Sequence, residues 1–284
     1  MMRLNLVLRM TDKLLGRLLV RAVALGVVLV CSVSVCSPVA FAQDKVIENM
    51  RMIGVGNVNI LDTYLSTEKY SGTELRYMSH TLREREGRQW SRLIVHQGFV
   101  AYGKNRADNG NEMAGTYTFS YGLLYDWKML SGRLDLKAGG KIDAVAGFLY
   151  NTRNGNNPAQ ARLGVDISPT AIATYRFNMG RMPVVVKYEV GIPLFGLMFS
   201  PNYGQSYYEI FSEGNYDHNV VATTVATAPS LSQMLAVDFK FGKTTVSVGY
   251  LGDWRQAKVN NLKYHTYSNL FMIGLTRKFK MIRM

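Results

Sequence analysis

The sequence predicts an all-β protein, an antiparallel up-and-down transmembrane β-barrel of about ten strands. Three observations predict it. The first is the stretch from Arg133 to Asn151. Its even positions (Leu134, Leu136, Ala138, Gly140, Ile142, Ala144, Ala146, Phe148, Tyr150) carry no charge, while its odd positions include Arg133, Asp135, Lys137, Lys141 and Asp143. Side chains alternate faces along a strand, so this is one long strand with an apolar and a charged wall. Soluble strands usually run roughly 5–6 residues; an element this long and two-faced suits a closed barrel with lipid outside and a polar lumen inside. The second is that no apolar run after residue 42 reaches the roughly 20 residues of a spanning helix, so a membrane could be crossed only by strands. The third is an alternation of short and long connections.

Residues 1–42 read as an export signal. Arg3, Arg9, Lys13, Arg17 and Arg21 form a basic start, Ala22 to Cys31 an apolar stretch, and Ala40-Phe41-Ala42 a cleavage site before Gln43; Ser32, Ser34, Ser37 and Pro38 interrupt the run before it could span a membrane. The barrel domain is then 43–284. Both cysteines, Cys31 and Cys36, fall in the leader, which excludes disulfide or thiol chemistry from the mature chain. That chain keeps 28 of the 33 basic and 19 of the 20 acidic residues, a net of +9. The cations are spread along strands rather than clustered, so the excess points to lumen lining and lipid headgroups and not to nucleic acid.

Period-two patterning places strands at 51–62, 73–83, 90–103, 113–128, 132–150, 159–178, 182–198, 231–242, 243–256 and 262–279. Apolar walls are clear in the fourth (Tyr117 to Trp127), the seventh (Val184, Val186, Tyr188, Val190, Ile192, Leu194), the eighth (Leu235 to Phe241) and the ninth (Val246 to Trp254). The first three are less regular. Short turns are expected near Gly87, Gly132, Gly180 and Gly242, and longer loops at 63–72, 103–112, 151–158, 199–230 and 256–261. Outer-membrane barrels have short periplasmic turns and longer outer loops; on this scheme both termini face the periplasm. Trp90, Trp127 and Trp254 fall near strand ends, where aromatic rings suit the membrane interface.

The charged wall predicts a lumen-lining ionic network of Arg133, Asp135, Lys137, Lys141, Asp143, Arg162, Asp166, Lys187, Glu189, Asp238 and Lys240, joined by Glu74, Arg76, Arg92, Asp126, Lys128, Arg176, Asp253, Arg255 and Arg277. Ten strands lie nearer the side-chain-filled limit of about eight than the open limit of 16–18, so mixed charges would pair across a narrow interior. The long loop carries Tyr203, Tyr207, Tyr208 and Phe211, too aromatic for a disordered segment, and is expected to act as a plug or recognition surface; the bland alternative is packing on the rim.

No catalytic, metal or cofactor site emerges. His80, His96, His218 and His265 lack metal-ligand spacing, Asp217-His218 has no nucleophile, and Gly54-Val55-Gly56 lacks the third glycine and helix of a nucleotide fingerprint. Gly139-Gly140 is expected to serve a bend or close backbone approach.

Several runs carry a resemblance: Ile53-Gly54-Val55-Gly56 leading to Leu61-Asp62-Thr63-Tyr64-Leu65-Ser66, Tyr70-Ser71-Gly72, the aromatic loop from Ser200 to Phe211, and Gly249-Tyr250-Leu251-Gly252-Asp253-Trp254. Through them the mature chain resembles uncharacterised Bacteroidetes outer-membrane β-barrel proteins of unknown function. The resemblance implies fold and location and assigns no activity. The carboxyl end, with Gly274 and Phe279 followed by Lys280 to Met284, departs from a terminal aromatic that barrel assembly machinery reads. The expected role is structural, small-solute passage or surface interaction, with outer-membrane lipid, the assembly machinery and a small solute as partners. The alternatives are an outer-membrane hydrolase acting on lipid or peptide, and a soluble periplasmic ligand-binding β-barrel.

Overall fold

The computed structural model describes residues 45–85, 87–155, 157–242 and 244–281; the expected leader lies outside them. The strands are β1 (Lys45–Asp62), β2 (Ser66–Arg85), β3 (Trp90–Asn105), β4 (Asn111–Met129), β5 (Leu134–Asn151), β6 (Ala159–Met179), β7 (Met182–Gly191), β8 (Phe195–Phe199), β9 (Val220–Thr224), β10 (Leu231–Phe241), β11 (Thr244–Val259) and β12 (Leu262–Met281). One short helix, α1 (Tyr207–Phe211), lies between β8 and β9.

Ten of the strands close an antiparallel barrel in the order β5-β4-β3-β2-β1-β12-β11-β10-β7-β6, with β5 paired to β6. The seam between β1 and β12 runs unbroken from Lys45 opposite Met281 to Asp62 opposite Tyr264. Closure leaves none of the ten barrel strands as a sheet edge, so their ladders pair with one another around the wall. The walls separate as the sequence requires. Ile53, Val55, Leu75, Tyr77, Leu123, Ile142, Phe148, Ile167, Phe271 and Ile273 are exposed outside, while Glu74, Arg76, Lys137, Asp143 and Asp238 are buried inside.

Four expectations are corrected. First, the connections at 63–72 and 256–261 are not long loops. Only Thr63 to Leu65 joins β1 to β2, because the Asp62 carboxylate and carbonyl accept the Tyr64 and Leu65 amides in a tight turn. Only Asn260 and Asn261 join β11 to β12, both at positive φ (50° and 60°), as asparagine tolerates in a two-residue hairpin. The outer connections are therefore not uniformly longer than the inner ones.

Second, the expected strand 182–198 is two strands. Ile192-Pro193-Leu194 interrupts it, and the outward parity changes from even positions in β7 to odd in β8. Pro193 cannot donate to a ladder, nor can Pro169 on the facing part of β6; β6 changes partner there, from β7 to β8. Third, the stretch 200–230 is not all loop, since Val220–Thr224 returns as β9 antiparallel to β8.

Fourth, Arg92 and Arg277 face outward, not into the lumen. Their strand neighbours Ser91, Leu93 and Thr276 are buried, and the two arginines are exposed. They stand near the end of the barrel that holds the short turns.

Candidate functional site

The interior is filled in successive layers. Toward the β4–β5 turn, Lys137 Nζ lies 2.9 Å from Glu84, 3.1 Å from Asp126 and 3.2 Å from Asp135, with Arg176 3.5 Å from Asp135. Nearby, Lys187 bridges Glu48 and, at 2.7 Å, Asp238. His80 Nε2 stands 2.8 Å from Glu189. Lys137 and Lys187 are each met by carboxylates of two other strands, the condition under which buried charge is tolerated.

A hydrophobic cluster packs at the height of His80 and Glu189, whose register partners Met50, Val95, Ile172 and Met234 all belong to it. Met50 and Met52 of β1, Met78 and Leu82 of β2, Leu93 and Val95 of β3, Leu124 of β4, Ile172 of β6, Met234 and Ala236 of β10, Leu251 of β11, and Leu270 and Met272 of β12 form one buried cluster. Unbranched methionines fill such irregular space. At this height β1 is apolar on both walls, which is why the first strands showed little alternation.

Toward the end of the barrel away from the β4–β5 turn the ions return. Arg76, 1% exposed, donates to Glu74 at 2.6 Å and Asp253 at 2.7 Å, and its guanidinium sits over the Phe99 ring. Asp253 also accepts from Arg255 at 3.0 Å, while Lys141 lies 3.2 Å from Asp143. Arg162 reaches Asp62 at 2.5 Å and stacks 3.8 Å from the Tyr264 ring centre. A second apolar cluster of Val58, Ile60, Leu65, Tyr70, Ala101, Ala114 and Leu149 packs beside it. Between these groups is a cavity of about 110 Å³, lined by Arg76, Phe99, Arg162, Asp166, Arg255 and Tyr264 among others. The Nε of Arg162 is buried without a hydrogen-bond partner.

The segment between β8 and β9 folds over this mouth. Ser206 and Glu209 form a reciprocal capping box that starts α1, and Ile210 is fully buried. Tyr207 accepts from the Ala161 amide and donates to Gln160 Oε1, both at 2.7 Å. Tyr64 donates to the Gln205 carbonyl at 2.9 Å, and Asn260 donates to the His218 carbonyl at 2.9 Å and the Ser200 carbonyl at 3.1 Å. The cap is thus tied to the β1–β2 turn, to β6 and to the β11–β12 turn. Burial and the neighbouring Tyr207, Asp62 and Glu209 push the Tyr64 phenol well above its ordinary pKa, and burial also raises that of Tyr207.

Most of the expected ionic set faces inward: Asp135, Lys137, Lys141, Asp143, Arg162, Asp166, Lys187, Glu189 and Asp238. Arg133 and Lys240 do not join it. Arg133 is exposed in the turn before β5, and Lys240 is exposed near the end of β10. Of the four loop aromatics only Tyr207 enters the mouth; Tyr203 and Tyr208 are exposed, and Phe211 stacks on Tyr207 and Phe199 while staying largely exposed. Trp90 and Trp127 flank Tyr125 on the outer wall, and Trp254 donates to Asn269. Asp217 and His218 hydrogen-bond to each other on the exposed cap, with no nucleophile against them. The methionine layer and β9 escaped sequence reading.

Residues 22–284 match the family described as Protein of unknown function (DUF3316), and the chain belongs to it. Nothing in that match indicates a Bacteroidetes origin. No curated protein matches. Among solved structures, the transport unit of the autotransporter AIDA-I from Escherichia coli is similar with a TM-score of 0.46 and 7% identity, covering 87% of this chain and 93% of that one. The outer membrane protease OmpT from Escherichia coli gives a TM-score of 0.46 at 9% identity, over 86% and 100% of the two chains. An outer membrane channel from Pseudomonas putida F1 gives 0.34 at 9% identity, over 86% and 100%. At this identity nothing about activity is carried across.

Proposed function

We propose that the chain is exported to the outer membrane and works there as a closed barrel that meets small solutes or surfaces at its capped outer mouth, rather than as an open pore. The apolar outer wall supports the location, with lipid and the barrel assembly machinery as partners. The carrying observation is the hydrophobic layer contributed by eight of the ten barrel strands. Apolar side chains in contact across the lumen, with the largely buried His80–Glu189 pair set among them, leave no open channel. Above that layer, the 110 Å³ cavity and the unpartnered Nε of Arg162 suit a small solute that accepts a hydrogen bond. Nothing favours the hydrolase reading, because the exposed Asp217–His218 pair has no nucleophile to activate.

Planar-bilayer recording of the purified protein tests this. The expected result is no steady conductance; regular stepwise currents from the unmodified protein would overturn it. A chain that stays monodisperse without detergent would overturn the membrane reading itself and favour the soluble barrel.

A further inference from the structure

On the outer wall, at the end of the barrel with the short turns, four residues stand in one cross-strand row. Ile47 of β1 is the register partner of Arg83 of β2, Arg83 is the partner of Arg92 of β3, and Arg92 is the partner of Leu123 of β4. Two guanidiniums therefore face each other between two apolar side chains. Like charges directly opposite on neighbouring strands destabilise a sheet. Among the described residues no carboxylate forms an ion pair with Arg83, Arg85, Arg88 or Arg92. Glu84, next in sequence to two of them, turns inward to Lys137. The same arginines, with Ile47, Trp90, Leu123 and the Lys137-paired Glu84, line a groove of about 470 Å³.

We propose that this groove holds the headgroup of an anionic phospholipid, its phosphodiester between Arg83 and Arg92 and its glycerol and upper acyl chain against Ile47, Trp90 and Leu123. Guanidinium is the side chain best matched to phosphate, through paired N–H donors. The apolar ends of the row suit a ligand that is charged at one end and oily at the other. Exposed Trp90, packed edge-on against Tyr125, has the amphipathic character of an interface residue. A free anion would account for the charge but not for the apolar flanks. The proposal rests on the membrane reading above.

The test uses the full mature protein, refolded in detergent and checked for the heat-modifiable mobility of a folded barrel. It is titrated separately with dioctanoyl phosphatidylglycerol, dioctanoyl phosphatidylcholine, inorganic phosphate and poly-glutamate, and bound species are read by native mass spectrometry. Saturable retention of phosphatidylglycerol over phosphatidylcholine and phosphate is expected. The R83Q/R92Q double variant should weaken it about tenfold, the equivalent of losing one strong charge-assisted contact. The R83K/R92K variant keeps the charge but loses the fork, and should fall between. R51Q/R277Q, on the same wall but outside the groove, should bind as the parent does.

Equal retention of both lipids, phosphate binding as tightly as lipid, preference for poly-glutamate, or undiminished phosphatidylglycerol binding by both arginine-pair variants would each overturn the proposal. If the glutamine variant does not fold, the lysine variant decides. Failure of the membrane reading would show separately, as a protein that remains monodisperse after detergent removal.

Discussion

Arg76 and Asp253, 177 residues apart in the chain, meet at 2.7 Å inside the barrel. Their strands, β2 and β11, are separated by β1 and β12. The pair therefore ties together parts of the wall that share no ladder. Replacing Arg76 with alanine leaves Glu74 a buried carboxylate without its cation and Asp253 with Arg255 alone, and breaking a buried pair in this way costs about 3–5 kcal/mol. The expected outcome is a lower urea midpoint for unfolding from lipid vesicles. A double-mutant cycle with D253N should show strong coupling; additive losses would mean that the two residues act separately.

Lys137 should be more sensitive still. Its ammonium answers Glu84, Asp126 and Asp135 together. K137M keeps most of the volume and removes the charge, so three inward carboxylates would repel one another. Its loss should exceed that of the R76A variant, and E84Q added to it should recover part of the difference. Urea unfolding of the four proteins side by side measures both.

The hydrophobic layer makes a prediction about transport. Triple substitution M52S/L251S/M272S replaces apolar contacts across the lumen with small polar groups. Single large-to-small changes in a packed interior cost about 2–5 kcal/mol each, so the variant should be less stable. It should also pass ions in planar bilayers where the parent does not. Silence from a correctly folded triple variant would place the barrier elsewhere.

The cap should respond to pH on the alkaline side. Tyr64 and Tyr207 both have raised pKa values in the folded protein, so the folded state binds their protons more tightly than the unfolded chain. That contribution is complete below the ordinary tyrosine value of about 10 and fades as pH climbs through the folded values. Phenolate absorbance should show late-titrating tyrosines, with Y64F and Y207F each removing one. Superimposable titrations would refute the assignment.

Access to the outer cavity should depend on the same cap. With both native cysteines in the expected leader, a single cysteine at Thr118, which lines the cavity, would be the only thiol of the mature chain. Y207F removes the hydroxyl that serves both Gln160 and the Ala161 amide; that change, or deletion of residues 203–211, should speed maleimide labelling several-fold. An unchanged rate would mean that solutes enter by another route.

The barrel was legible wherever lipid and lumen demand opposite chemistry, as along β5, where charged odd positions alternate with uncharged even ones. It was illegible where that contrast fails. At Met52–Ile53 both walls are apolar, because Met52 packs inward in the hydrophobic cluster. Arg92 and Arg277 put charge on the outer wall, and so mimicked lumen residues. Ser66 to Ser71 read as loop because its outward side chains are polar, although Tyr70 is fully buried on the inner face. In the candidate site, pairing across non-adjacent strands is invisible to periodicity, so the ionic residues could be named but their partners could not. The aromatic loop could be singled out, but not which of its rings enters the mouth.

The interruption between β7 and β8 has a consequence for design. Between the pairing of Gly191 with Ser232 and that of Phe195 with Thr224, three residues face seven. Strand alternation is reset there, so a change in length beyond that point need not shift the alternation of the ten-strand wall below it. The segment between β8 and β9 with its helix is thus an exchangeable cassette. It can be lengthened, shortened or swapped for a foreign segment while the barrel beneath keeps its register, and this makes it the natural place to insert a displayed peptide.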